Sequence, residues 1–255
     1  MVIKNEKDKE NLLEGGRRLA TVLQKVAEKV APGVSTKELD NYAEKLILDM
    51  GDTPAFKDYT PIGAKRPYPA TLCISINDEI VHGIPNEEDK ILKDGDIVTL
   101  DSGLNHNGYF LDHAITVPVG NVDKNGLELI DTARVALEKA LEIIKPGIKV
   151  GEIGFLIEGF VKEHGFVPAY DFGGHGVGAG VHEDPFIPNF GPKNRGPALE
   201  EGQVVAIEPI INEEGPGARL LRDGYTYATE DGKRSAQFEH TVLIEKNGPV
   251  ILTKL

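Results

Sequence analysis

The sequence predicts an α+β protein built from two pseudo-symmetric helix-helix-sheet halves fused into one domain. Three observations predict it. Helical apolar periodicity and strand-like alternation follow one another twice along the chain. In each round a Pro-Gly break, Pro32-Gly33 and Pro146-Gly147, separates two helices, at an offset of 114 residues. No linker-like composition divides the rounds, so residues 1–255 read as a single domain with halves at roughly 6–120 and 121–250. A chain of this length can bury one sizeable core.

Within the first round, residues 6–30 set Leu12, Leu13, Leu19, Val22, Leu23, Val26 and Val30 near helical spacing, and Ala31-Pro32-Gly33 stops the helix. Ser35 and Glu38 form a capping-box pattern that opens a second helix running to about Met50. A turn-rich stretch leads to a β-like run from Leu72 to Ile76 and to the segment VHGIP. Two strands, IVTLDSG and YFLDHAITVPV, come next, joined by a turn at His106-Asn107-Gly108. The second round opens with a helix over 127–144, which Lys145-Pro146-Gly147 breaks. A further helix over about 151–164 and more strands complete it.

Composition narrows the function classes. The formal net charge of −13 repels phosphate backbones and anionic membranes, so neither nucleic acid nor a bilayer is an expected partner. A single cysteine, Cys73, excludes an internal disulfide and any multi-thiolate zinc site. The N-terminus MVIKNEKDKENLLEGG has no apolar h-region, and no stretch nears the length of a bilayer span, so a cytoplasmic location is expected. The chain contains no GxxxxGK[ST], GxGxxG or GxSxG, which argues against nucleotide enzymes and serine hydrolases.

The sharpest local signal is the pair Asp101 and Asp112 in the two joined strands. A hairpin centred between His106 and Asn107 sets them opposite one another. One centred on Asn107-Gly108 sets Asp101 opposite Ala114, with Asp112 as its diagonal neighbour. Either register puts both carboxylates on one face, because side chains alternate with period two. Like charges opposed on a sheet are destabilising, and the flanking Ile97, Val98, Leu100, Leu111 and Ile115 would desolvate them, which favours protonation or a cation between them. The alternative is that one or both lie on the fraying solvent face of a hairpin, and the pair alone leaves both readings open.

Three further positions share the anomaly. Glu208 interrupts the apolar run VVAI-E-PII, where an ionised carboxylate costs several kcal/mol unless paired or metal-bound. Glu239 lies in SAQFEHTVLI and, taken singly, could be an ordinary outward-facing strand residue. His175 and, seven residues on, His182 sit in the glycine-rich stretch GHGVGAGVHEDP. An oxygen-rich set with a single imidazole suits hard or borderline divalent ions, and paired ions about 3.5–4 Å apart polarise a carbonyl and activate water together. The residues by themselves lead to a dinuclear metallohydrolase.

With these residues in hand, the chain resembles the type I methionine aminopeptidases, "pita-bread" metallopeptidases of family M24. The resemblance runs from about residue 6 to the C-terminus. It rests on VHGIP with His82, Asp101 and Asp112 eleven residues apart, GHGVGAGVHEDP, AIEPII with Glu208, and SAQFEHT with Glu239. It implies two helix-helix-sheet halves around a curved antiparallel sheet, and removal of the N-terminal methionine from nascent polypeptides by a dimetal-activated hydroxide. By the same resemblance Asp101 ligates one metal, Asp112 and Glu239 bridge both, and His175 and Glu208 complete the other shell. Glu208 also serves as proton shuttle, while His82 and His182 hydrogen-bond the scissile peptide and stabilise the tetrahedral intermediate. The two divalent ions are Co, Mn, Fe or Zn, a choice the ligand types leave open. The implied partner is a peptide or nascent-chain N-terminus, with room for transient ribosome association, and the expected state is a monomer.

Tyr68 and Cys73 match positions lining the methionine side-chain pocket. Three departures bear on specificity. The family's aromatic just before the second histidine is Val181 here, and its tryptophan fourteen residues before the last glutamate is Tyr225. The pocket's other usual Cys and Tyr, in the turn before Tyr68, are expected to be replaced within PIGAKR. One methylene of pocket fit is worth only about 1–3 kcal/mol, so the resemblance carries the metal chemistry further than strict methionine preference. The rival readings are a Xaa-Pro dipeptidase or broader aminopeptidase of the same fold, and a non-catalytic binding protein on that scaffold. Prolyl members usually carry an extra N-terminal domain, and a metal-free relative should lack several of the ligands retained here.

Overall fold

The computed structural model describes residues 1–255. Its helices come in two pairs, α1 (Glu6–Ala27) with α2 (Thr36–Asp49), and α3 (Lys124–Ile143) with α4 (Val150–Glu163). The capping box at α2 forms as expected: Ser35 Oγ accepts from the Glu38 N–H at 3.2 Å, and the Glu38 carboxylate accepts from the Ser35 N–H at 3.3 Å.

Two helix boundaries differ from the apolar pattern. α1 ends at Ala27 because the N–H groups of Lys29 and Val30 bond back to Val26 and Ala27, tightening the chain into a turn that begins before Pro32. α3 begins at Lys124, where Asp123 caps it by accepting from the Gly126 N–H at 2.8 Å. Asn125 and Gly126 look like turn residues in sequence, and the cap overrides that preference.

The central sheet has nine strands: β1 (Thr53–Pro54), β2 (Leu72–Ile76), β3 (Ile97–His106), β4 (Tyr109–Pro118), β5 (Gly173–Gly176), β6 (Glu183–Pro188), β7 (Val204–Ile207), β8 (Glu239–Glu245) and β9 (Gly248–Ile251). Its order is β1-β3-β4-β8-β7-β5-β6, with β2 also on β3 and β9 also on β8. The pairings are antiparallel and the sheet curls, as the resemblance implied. β3 and β4 form a hairpin whose register pairs Asp101 with Ala114 and Gly103 with Asp112. Asn107 and Gly108 turn it with φ of 53° and 88°, the left-handed pair that a two-residue hairpin requires. The second of the two registers considered above is therefore the one formed.

Each helix pair seals one apolar cluster against this sheet. Leu12, Leu19, Leu23, Leu39 and Ile47 of α1 and α2 pack with Leu72, Ile74, Val98 and Leu100. Ala133, Leu137, Ile153 and Ile157 of α3 and α4 pack with Val205, Ile207, Val242 and Ile244. Full burial of each such Leu, Ile or Val contributes about 1.5–3 kcal/mol. The two systems meet where β4 and β8 pair through Ala114↔Glu239 and His113↔His240, and that seam carries the acidic residues.

Candidate active site

The seam places the carboxylates by strand register. Ala114 of β4 has Asp101 of β3 on one side and Glu239 of β8 on the other. Asp112, two residues from Ala114 along β4, shares their face. Alanine at the centre of this row leaves the space between the carboxylates unfilled. Glu208 follows directly on β7 and His175 lies on β5, whose Cα partner is Ala206. Gly174 precedes it because a Cβ there would stand 2.2 Å from the carbonyl oxygen of Ala206.

These side chains converge on a cavity of about 350 Å³, which Asp101, Asp112, His175, Glu208 and Glu239 all border. His175 Nε2 lies 3.4 Å from Glu208 Oε1 and 3.9 Å from Asp112 Oδ2. Single ligand atoms of Asp112, His175 and Glu239 lie within 4.8 Å of one another. The Nδ1–H of His175 donates to the Gly176 carbonyl at 2.9 Å, so its Nε2 presents a lone pair to the carboxylates. Burial, reinforced by His182, pushes the His175 pKa down to about 3, so the ring is neutral at physiological pH.

All four acids are buried, at 7% exposure for Asp101, 4% for Asp112, 8% for Glu208 and 2% for Glu239. Burial is the largest influence on each. It lifts Asp101 to about 7, and with mutual repulsion it raises Asp112, Glu208 and Glu239 well above the usual carboxylate range. No Lys or Arg reaches any of them; the single basic side chain within ion-pair distance is His175. Asp101 Oδ1 and Glu239 Oε1 have no hydrogen-bond partner at all. Buried oxygens without donors, four acids without a cation and one lone-pair imidazole are what divalent metal ions would satisfy.

Backbone bonds hold the donor set in place. Thr241 Oγ1 accepts from the Asp112 N–H at 2.8 Å and donates to the Asp112 carbonyl at 2.7 Å. His113 donates from Nδ1 to the Glu239 carbonyl at 2.5 Å and stacks on His240 with centroids 4.8 Å apart. Gln237 Nε2 donates to Glu208 Oε2 at 3.2 Å, and Asn189 Nδ2 donates to the Glu208 carbonyl at 2.8 Å.

His82 and His182 border the same cavity. His82 follows the strand Glu79–Val81 with φ of 59°, and burial takes its pKa down to about 4. His182 lies with its ring 4.5 Å from that of His175 and its Nδ1 3.2 Å from the Tyr59 hydroxyl. An apolar wall adjoins them. Tyr68, Cys73 and Tyr225 border the cavity together with Phe56 and Tyr59. Val181 belongs to the same apolar cluster but is not among the residues that border the cavity.

A tyrosine outside the expected set also borders the cavity. Tyr59, just before PIGAKR, brings its hydroxyl to 3.2 Å from His182 Nδ1, and its backbone pairs with Tyr68, so that residues 60–67 loop between them. Sequence reasoning also missed Gln237. Period-two alternation from Glu239 points to it, whereas Tyr59 lies in a turn-rich stretch with no periodicity to read.

A buried cluster of acids and one imidazole beside an apolar pocket defines a metal-dependent hydrolase. Residues 10–246 match metallopeptidase family M24, and the chain belongs to that family. It is 41% identical over 242 residues to methionine aminopeptidase 1 of Bacillus subtilis, covering 95% of this chain and 94% of that one. Identity to the methionine aminopeptidase of Aquifex aeolicus is 44% over 255 residues, with 98% of each chain covered. The crystal structure of a methionine aminopeptidase from Thermotoga maritima superposes with a TM-score of 0.94 at 39% identity, covering 100% of both chains. The prolidase from Pyrococcus furiosus superposes with a TM-score of 0.77 at 26% identity, covering 100% of this chain but 66% of the prolidase. No helix is long and apolar enough to cross a membrane.

Proposed function

We propose that this protein removes the N-terminal methionine from peptides and nascent chains as a metal-dependent aminopeptidase. The observation that carries the reading is the junction, in one cavity, of four uncompensated buried carboxylates with an apolar pocket lined by Phe56, Tyr68, Cys73 and Tyr225. Similarity to methionine aminopeptidases at 44% and 39% identity, over nearly the whole of those chains, supports it over the prolidase reading, which has 26% identity behind it.

Asp101, Asp112, His175, Glu208 and Glu239 would hold two divalent ions, Co, Mn, Fe or Zn, whose charge the acids offset. Bound there, such ions supply Lewis acidity toward a peptide carbonyl and lower the pKa of water. The remaining tasks fall to the chain. Glu208, fixed through its carbonyl by Asn189 and through its carboxylate by Gln237, takes a proton from the attacking water and returns it to the leaving amine nitrogen. His82 and His182, kept neutral by burial, donate hydrogen bonds to the scissile peptide without adding charge. The substrate's free α-amine would bind near the metals, while Tyr68, Cys73 and Tyr225 exclude water around its first side chain. A monomer working on nascent chains in the cytoplasm, in transient contact with the ribosome, fits such a substrate.

The test is a panel of Met-Ala, Met-Gly, Leu-Ala and Ala-Pro peptides with metal-reconstituted enzyme. Preferred release of methionine from Met-Ala and Met-Gly is expected. Cleavage of Ala-Pro without Met-Ala would replace this reading with the prolyl one.

A further inference from the structure

The loop between Tyr59 and Tyr68 carries an arginine, Arg66, that ties three segments together beside the side-chain pocket. The Arg66 guanidinium grips Glu87 with both Nη atoms, the Nη2–Oε2 distance being 2.8 Å. Nη2 also donates to the Asp223 carbonyl at 3.0 Å. The Asp223 carboxylate in turn accepts from the N–H groups of Tyr225 and Thr226 at 2.8 and 2.9 Å, so the guanidinium braces the turn that presents Tyr225. Tyr225 closes the circuit: its hydroxyl donates to the Arg66 carbonyl at 2.5 Å, and the guanidinium lies 5.7 Å from its ring centroid.

Tyr225 is itself part of the pocket wall. Its ring meets Tyr68 edge-on at 5.1 Å, and both border the cavity beside Cys73. With its hydroxyl committed to Arg66, it presents carbon to the substrate. Exposed ion pairs contribute little stability, and Arg66 and Glu87 are 38% and 39% exposed. The value of this contact is geometric, since a planar fork that holds a carboxylate and a carbonyl together fixes direction in a way an ammonium cannot.

Resting on the aminopeptidase reading above, we propose that Arg66 is a positioning residue for substrate selection: it fixes the Tyr225 wall, and thereby sets which first side chain the pocket admits. Metal binding and the hydrolytic groups lie outside this circuit. Loosening the wall changes how well competing side chains fit while leaving the chemistry in place.

The experiment compares kcat/KM for Met-Ala and Leu-Ala in the metal-loaded wild type, Arg66→Ala, Arg66→Lys and Glu87→Gln. The Met-to-Leu ratio is expected to fall about three- to tenfold in Arg66→Ala, through a higher KM for Met-Ala at nearly constant kcat. Arg66→Lys and Glu87→Gln should shift it the same way by less. An unchanged ratio in Arg66→Ala overturns the proposal. Should that variant fail to fold, Glu87→Gln decides alone, since it frees the guanidinium without shortening a side chain. Failure of the wild type to cleave Met-Ala would instead strike the aminopeptidase reading.

Discussion

Two groups of acids in this protein meet opposite fates. Glu14 lies on the exposed side of α1, held by Arg17 at 2.9 Å and Arg18 at 2.7 Å, and those arginines draw its pKa down to about 2. Asp101, Asp112, Glu208 and Glu239 lie in the sheet with no arginine or lysine in reach, and burial drives them up. Residue type is nearly the same, so the difference lies in where the compensating charge comes from. Glu14 finds it within its own helix. The buried set must find it outside the chain, as protons or as metal, and this is why the cluster reads as function rather than as stability.

The hardest way to break the comparison is to remove one member's chemistry while keeping its shape. Glu208→Gln should cost about 10²–10⁴-fold in kcat by removing the proton carrier, as measured on Met-Ala with metal-loaded protein. Activity within several-fold of wild type would remove Glu208 from that role. Next in size is metal affinity. Asp112→Asn should weaken divalent binding by at least the roughly 10–100-fold typical of outer-shell changes, which isothermal titration calorimetry reads directly. Equal affinity in both proteins would detach Asp112 from the ligand set.

A third experiment compares the two acid groups by pH. A carboxyl whose folded pKa is raised binds its proton more tightly folded than unfolded, so it lowers stability as pH rises from the unfolded to the folded value. For Asp101 that window runs from 3.8 to about 7. Metal-free protein should therefore lose stability across that window in denaturant titrations, and saturating divalent metal should remove the loss. A metal-independent profile would contradict the assignment. Glu14 has the opposite sign. Its folded pKa is depressed, so its contribution is present above 4.5 and fades as pH falls toward 2. Glu14→Gln should cost less than about 1 kcal/mol at pH 7, because solvent screens so exposed a pair, and progressively less as pH falls through the folded pKa of about 2.

What the sequence disclosed follows the same division. Charges standing in apolar strands are legible, so Asp101, Asp112 and Glu208 could be argued from local context, and the paired Pro-Gly breaks disclosed the two helix pairs. His175 needed its glycines, which allow β5 to approach the Ala206 carbonyl. Glu239 looked like any outward strand residue, because its partner across the sheet is Ala114, which no local pattern discloses. Tyr59 and the Arg66 circuit were illegible for the same reason. Both depend on contacts between residues more than a hundred positions apart, formed only when the turn-rich segment folds back over the cavity. Hairpin register was narrowed to two choices by the sequence, and the φ values at Asn107 and Gly108 select between them.

The central claim, that the buried acids are there to hold catalytic metal, is tested most directly by turnover of Met-Ala during metal titration of chelator-stripped protein. Turnover should be absent in the stripped protein, rise with added Co, Mn, Fe or Zn, and saturate as about two ions bind per chain. Full turnover in the presence of chelator, or no binding of any divalent ion, would contradict it.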